Sequence, residues 1–152
     1  MKELIETFRI HNRINLYLLQ AIEEPHLADV ASSKGRTVAR QWAHIHNVRL
    51  MWLKAAAPEL LAGQRKWEEA DLLTKALLEE SLVQSGQAIE SLFEKAAVEG
   101  KIKGFKPHPT AFLGYLISHE SHHRGQIMLS LKQNGHMVDK KIQFGIWEWG
   151  SR

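Results

Sequence analysis

The stretch Leu116-Ile117-Ser118-His119-Glu120-Ser121-His122-His123-Arg124-Gly125-Gln126-Ile127-Met128-Leu129-Ser130-Leu131 decides how this chain is read. Three of the nine histidines fall within five residues there, inside an apolar pattern of helical period. Helix residues advance by about 100°, so positions four apart lie one turn above each other on one face. His119 and His123 stand in that relation, and Phe112, Tyr115, Leu116, Gln126, Ile127 and Ser130 fall on or beside their stripe. The pair is therefore expected to face the interior. Glu120 and His122 flank the stripe, and Arg124 is expected to point further away. Two imidazoles on a buried face are costly unless hydrogen-bonded or coordinated, and their spacing suits a divalent metal. Core or rim histidines bonded to neighbours would show the same spacing. The adjacent third histidine, and Gly125-Gln126 on the next turn, favour the metal.

The same residues, His119-Glu120-Ser121-His122-His123, also match H-E-x-x-H, in which two histidines hold zinc and the glutamate is general base. A metalloprotease needs more than this pattern: a substrate-binding strand beside the helix and a third ligand downstream. His136 is the only downstream histidine, and no convincing strand ladder follows from the sequence. The protease stands as a minority alternative.

With 152 residues, 44% of them hydrophobic and five of them tryptophan, the chain is expected to form one domain, residues 1–152, around a packed core. The absence of cysteine excludes disulfides, thiolate metal sites and cysteine nucleophiles. The opening MKELIETFRI is charged and amphipathic, unlike a signal peptide. No run approaches the roughly 20 apolar residues of a membrane span, so a cytoplasmic protein with no membrane partner is the default expectation. The net charge of +3 and pI near 9.2 are mildly basic. Basic residues cluster only weakly, at Lys101–Lys106 and Lys132–Lys141, without interleaved aromatics, so a solvated face is expected and no nucleic-acid partner.

Apolar residues recur every three or four positions from Glu3 to about Glu23, where Pro25 ends the run. A Ser- and Gly-marked connection leads to Thr37, a plausible N-cap for a helix from about Val38 to Ala57 that stops at Pro58. In it, His44 and His46 lie on opposite shoulders of the apolar stripe, so periodicity does not say which faces inward. A connection with some helical content, Pro58 to Asp71, precedes a long helix from Leu72 to about Gly100. Gly86 weakens that helix locally by about 1 kcal/mol relative to Ala, and Gly100 suits its C-terminal cap. After the turn segment KIKGFKPHP, Thr110 is expected to cap the fourth helix, which ends near Asn134-Gly135. The tail lacks a helical period, yet Phe144, Ile146, Trp147 and Trp149 are too apolar for a free end and are expected to fold back. Four long helices with short connections predict an all-α, antiparallel-type four-helix bundle with an irregular tail packed on it. The tail's apolar surface further suggests a homodimer.

Three groups of residues resemble the DinB/YfiT-like superfamily of metal-dependent proteins, across nearly the whole chain: Asn12-Arg13-Ile14-Asn15, the segment Ala43-His44-Ile45-His46 to Trp52-Leu53, and His119-x3-His123-Arg124-Gly125-Gln126. The last is the most specific. The resemblance implies a four-helix bundle in which one histidine of the second helix joins an H-x3-H pair on a divalent metal. That assigns His119 and His123 as ligands. Aligning the superfamily's Ala-His-Leu…Trp-Leu pattern on Trp52-Leu53 selects His44 as the third, with His46 the alternative under a two-residue shift. It assigns no role to His122, which is expected to line the mouth. It also implies a small-molecule reaction, thiol transfer on a low-molecular-weight thiol being one known activity.

Three neutral imidazoles would leave a divalent ion its full charge and an open position, as catalytic rather than structural sites do. Nitrogen-rich sites suit Zn or Ni first, with Fe or Cu possible. Gln126, Asn15 and Tyr115 are candidate supports for the ligands. Affinity is expected to fall below the ordinary imidazole pKa of about 6.5. Two functions remain open: a metal-dependent transferase or hydrolase, with no catalytic residue assigned, and a non-catalytic metal-binding or structural bundle.

Overall fold

The four long helices share one burial pattern, in which an apolar block, a polar break and a second apolar block succeed one another. The computed structural model describes residues 2–152. Helix α1 (Lys2–Ala21) buries Leu4 and Phe8, then His11, Asn12 and Asn15, then Leu18 and Leu19. Helix α2 (Val38–Ala56) buries Trp42 and Ile45, then Arg49, then Leu53. In α3 (Lys75–Glu99) the order is Leu78 and Leu82, Ser85, then Ile89 and Phe93. In α4 (Pro109–Gln133) it is Phe112 and Leu116, Glu120, then Ile127 and Leu131. The apolar blocks gather into two cores, one around Phe8, Leu53, Phe93 and Phe112, the other around Leu18, Trp42, Leu78 and Ile127. The polar breaks form a layer between them.

Core membership also gives the helix directions. Helices α1 and α4 run from the first core to the second, and α2 and α3 run the opposite way. Helices α2 and α3 are thus parallel, whereas short connections had implied alternating antiparallel neighbours. The reason is residues 57–74, long enough to carry the chain back along the bundle before α3 begins. Trp67 anchors that crossover: its Nε1–H donates to Ser81 Oγ at 2.9 Å, and its backbone exchanges hydrogen bonds with the Asn47 side chain.

In the polar layer a bidentate ion pair joins α2 to α4. Arg49 donates through Nε to Glu120 Oε1 and through Nη2 to Oε2, each at 2.7 Å. Glu120 Oε2 also accepts from His11 Nε2 at 2.8 Å and Asn15 Nδ2 at 2.7 Å, both on α1. Arg49 donates further to the Leu82 carbonyl, Ser85 Oγ and Asn12 Oδ1. All four helices meet at these two side chains. Burial alone would raise the Glu120 pKa, but the Arg49 charge and hydrogen bonds outweigh it and hold the carboxyl well below the usual range. Arg124, expected to point away, instead reaches back to α1, donating to Asn15 Oδ1 at 2.6 Å and to Ser121 Oγ at 2.9 Å.

Gly86 has a packing reason: a Cβ there would fall on the Asn12 amide nitrogen, so α1 and α3 approach only over a bare backbone. Thr37 caps α2 as expected, accepting from the Arg40 N–H at 3.1 Å, and Gly100 closes α3 with φ of 70°. Helix α4 is capped by His108 rather than Thr110, because Pro109 occupies its first turn and the His108 Nδ1 accepts from the Ala111 N–H. Part of the tail is helical, contrary to the irregular segment expected: Lys140–Gly145 forms α5, too short for its period to be read, and Trp149–Ser151 forms a single 3-10 turn. Ile142 and Ile146 pack on the second core, while Phe144 and Trp147 stay exposed, at 68% and 76%. The described residues contain no strand, only two isolated bridges, Val30 with Thr37 and Ile102 with Phe105. Among the described residues no helix is long and apolar enough to cross a membrane.

Replacing Gly86 with Ala tests the α1–α3 approach. An unpacked helix would gain about 1 kcal/mol, yet urea unfolding is expected to show a net loss as Asn12 is displaced from Arg49. Arg49→Met is expected to cost about 3–5 kcal/mol by stranding the Glu120 charge. In Arg49→Met/Glu120→Leu part of that loss should return, and equal losses in the single and double variants would argue against a coupled pair.

Candidate metal centre

Helices α2 and α4 pack side by side in opposite directions, and where they cross, three imidazoles converge. His44 comes from α2, and His119 and His123 from successive turns of α4. One ring nitrogen from each lies within 4.8 Å of the other two. Ring centroids are 4.6 Å apart for His44–His123 and His119–His123, and 5.3 Å for His44–His119. His123 is buried, and the other two are half-buried.

The orientation of His123 is fixed by its neighbour on α2, where Nδ1–H donates to Gln41 Oε1 at 2.6 Å. This bond sets the tautomer and leaves the Nε2 lone pair free. His119 stacks on the Tyr115 ring, one turn earlier, with centroids 6.0 Å apart and planes at 12°. Its Nδ1 is buried without a hydrogen-bond partner. An unpaired buried nitrogen is unfavourable, and here it sits on one of the three converging imidazoles.

The cluster is held neutral. Burial, then the Arg36 charge and His119, lower the His44 pKa to about 4. Burial, then the neighbouring histidines and Arg36, lower that of His123 to about 4 as well. The His119 pKa is also lowered, chiefly by burial, against the opposing pull of Glu120. Neutral imidazole is the form with a lone pair to offer a cation, so the donor set is compatible with metal binding.

His46 lies elsewhere. Its ring nitrogens face the Ser81 carbonyl at 3.0 Å and the Arg65 carbonyl at 2.8 Å, tying α2 to α3 and to the crossover. His122 is exposed, with its ring edge against His123 at 5.1 Å. Glu120, the general base required by the H-E-x-x-H reading, has its carboxylate committed to Arg49, His11 and Asn15. With no strand among the described residues either, the protease alternative lacks both a free base and the strand it requires.

Of the anticipated supports, only Tyr115 touches the cluster. Asn15 belongs to the polar layer, and Gln126 lines a small cavity of about 200 Å³ with Gln41. Gln41 was missed, although its place one turn before His44 on the inward face was a usable signal. A cleft of about 910 Å³ opens against His44, between the Gly35–Thr37 end of the first connection and residues 66–69 of the crossover. Arg40 braces its far wall by donating to the carbonyls of Glu68, Glu69 and Asp71.

A DinB-like protein from Bacillus subtilis, YjoA, has a similar structure, with a TM-score of 0.63 over 90% of this chain and 96% of that one. At 18% identity this likeness speaks for the fold alone. No curated protein matches the sequence. A family model described as the DinB family matches residues 1–141, nearly the entire chain. The chain belongs to the DinB family.

Proposed function

We propose that His44, His119 and His123 hold one divalent metal ion, Zn or Ni first among the candidates, and that the protein is a metal-dependent enzyme acting on a small molecule by thiol transfer or hydrolysis. The observation that carries the reading is the set of three neutral ring nitrogens within 4.8 Å of one another, one imidazole having its Nδ1 buried and unpartnered. Three protein ligands match catalytic sites, which keep a position open, better than structural sites closed by four. When bound, the ion would supply a Lewis acid that favours the deprotonated form of a thiol or of water. The residues present have separate tasks. Gln41 orients His123, and Tyr115 backs His119. The cleft beside His44 admits a small molecule, and Arg36 brings positive charge to its entrance.

Single replacements of His44, His119 or His123 by Ala are expected to abolish stoichiometric metal after dialysis against trace divalent ions, as read by elemental analysis, while circular dichroism shows an intact bundle. His122→Ala and His46→Ala should retain the metal, the latter with a lower unfolding midpoint because the carbonyl that accepts the single N–H of neutral His46 loses its donor and the ring leaves a buried gap. Full occupancy in His123→Ala would overturn the site. Turnover of thiol-transfer or hydrolysis substrates by the loaded protein, absent in His123→Ala, separates the enzyme from a non-catalytic metal binder.

The pH response has a definite sign. In the metal-free protein His44 and His123 titrate near 4, and in the unfolded chain near 6.5. Between those values the unfolded state holds more protons, so stability is expected to fall as pH drops from about 6.5 toward 4. Buried His11 and His46, also lowered chiefly by burial, act in the same direction. Proton competition with the metal should likewise begin lower than the free imidazole value suggests. Thermal unfolding of the metal-free protein across this range checks the sign, and an unchanged midpoint would contradict it.

A further inference from the structure

The buried polar layer does not balance its charge. Arg49 and Arg124 bring two positive charges and Glu120 one negative, while burial favours the neutral form of His11, which leaves that sum unchanged. Glu120 is taken by Arg49, and among the described residues no carboxylate lies within ion-pair distance of Arg124. The Arg124 contacts to Asn15, Ser121 and His11 use Nη1 and Nη2, and none uses Nε. A part-buried cation without a paired anion is incompletely compensated.

Arg124 also lines a groove of about 530 Å³ between α4 and the tail, within the usual size of small-molecule sites. Met128, Ile146, Trp147 and Trp149 supply apolar and aromatic walls, and Arg124 is the only charged residue among those lining it. An apolar chamber with one cation suits a flat, apolar body bearing one negative group, which the guanidinium can pair with directly.

We propose that this groove is a second binding site, distinct from the three-histidine centre, for a small aromatic carboxylate paired with Arg124 and stacked against Trp147 and Trp149. The ligand's charge completes the ion balance of the polar layer. Its ring covers apolar surface that the fold leaves open, including Trp147, which is 76% exposed.

The test uses the full chain with 1-naphthaleneacetate and its uncharged isostere 1-naphthaleneacetamide, followed by tryptophan fluorescence and calorimetry, with and without EDTA. The carboxylate is expected to bind saturably and at least about tenfold more tightly than the amide, unchanged by EDTA. Trp147→Ala should weaken both probes. Gly125→Leu should abolish binding by filling the groove, because a Cβ at Gly125 meets nothing within 4 Å and the bundle has no reason to unfold. Circular dichroism verifies that variant's fold. The proposal is overturned by lack of saturation at millimolar carboxylate, by equal affinity for the amide, by binding that EDTA removes, or by unaltered binding in folded Gly125→Leu. A wild-type dimer that Gly125→Leu dissociates, with no probe bound by either, would overturn it too and give the groove to a second copy of the chain.

Discussion

The bidentate pair between Arg49 and Glu120 constrains everything near it. A charged pair at the centre of a bundle is tolerated only when nearly every polar atom finds a partner, and the partners here come from α1 and α3 as well as α2 and α4. Sliding or rotating one helix would break several of these bonds at once. The two apolar cores contribute burial without direction. The polar layer supplies direction, selecting one register of four helices from the many that would bury the same leucines.

That register decides what the histidines can do. Arg49 lies five residues beyond His44 on α2, and Glu120 is the immediate neighbour of His119 on α4. Holding Arg49 to Glu120 at 2.7 Å therefore sets how far His44 stands from His119 and His123. The two polar groups face neighbouring sides of α4, one toward the bundle axis and one toward the α2–α4 cleft. One is an ionised network shut from water. The other is a neutral cluster whose protons burial removes.

Much of this was written in the sequence as period. Helix extents, the Thr37 cap, the Gly100 terminus and the pairing of His119 with His123 follow from spacing that local geometry enforces. The parallel α2–α3 pair did not, because direction depends on how residues 57–74 travel, and that path rests on long-range bonds such as Trp67 to Ser81. Nor did α5, six residues long and held by tertiary contacts: its closing Gly145 is pressed against Tyr17, whose ring lies 3.8 Å from the Arg152 guanidinium. The partners of Glu120 lie 71 to 109 positions away along the chain, so no local pattern announces them. His44 against His46 is the instructive case. Periodicity placed both on shoulders of one stripe, and the side of α2 occupied by α4 separates them, a fact about packing and not about either residue.

The same geometry shows why a five-residue pattern misleads. In H-E-x-x-H chemistry the glutamate must reach solvent and substrate beside the metal ligands, as a base that accepts a proton. Glu120 meets neither condition. It is fully buried, and four hydrogen bonds occupy its oxygens. Its pKa is driven away from the neutral range that a general base needs. Adjacent helix positions differ by about 100°, so His119 and Glu120 can serve two compartments that share no chemistry. What the pattern encodes here is an economy of helix α4: one turn presents a donor to the α2–α4 cleft and, on its next residue, the anion that holds the four helices in register.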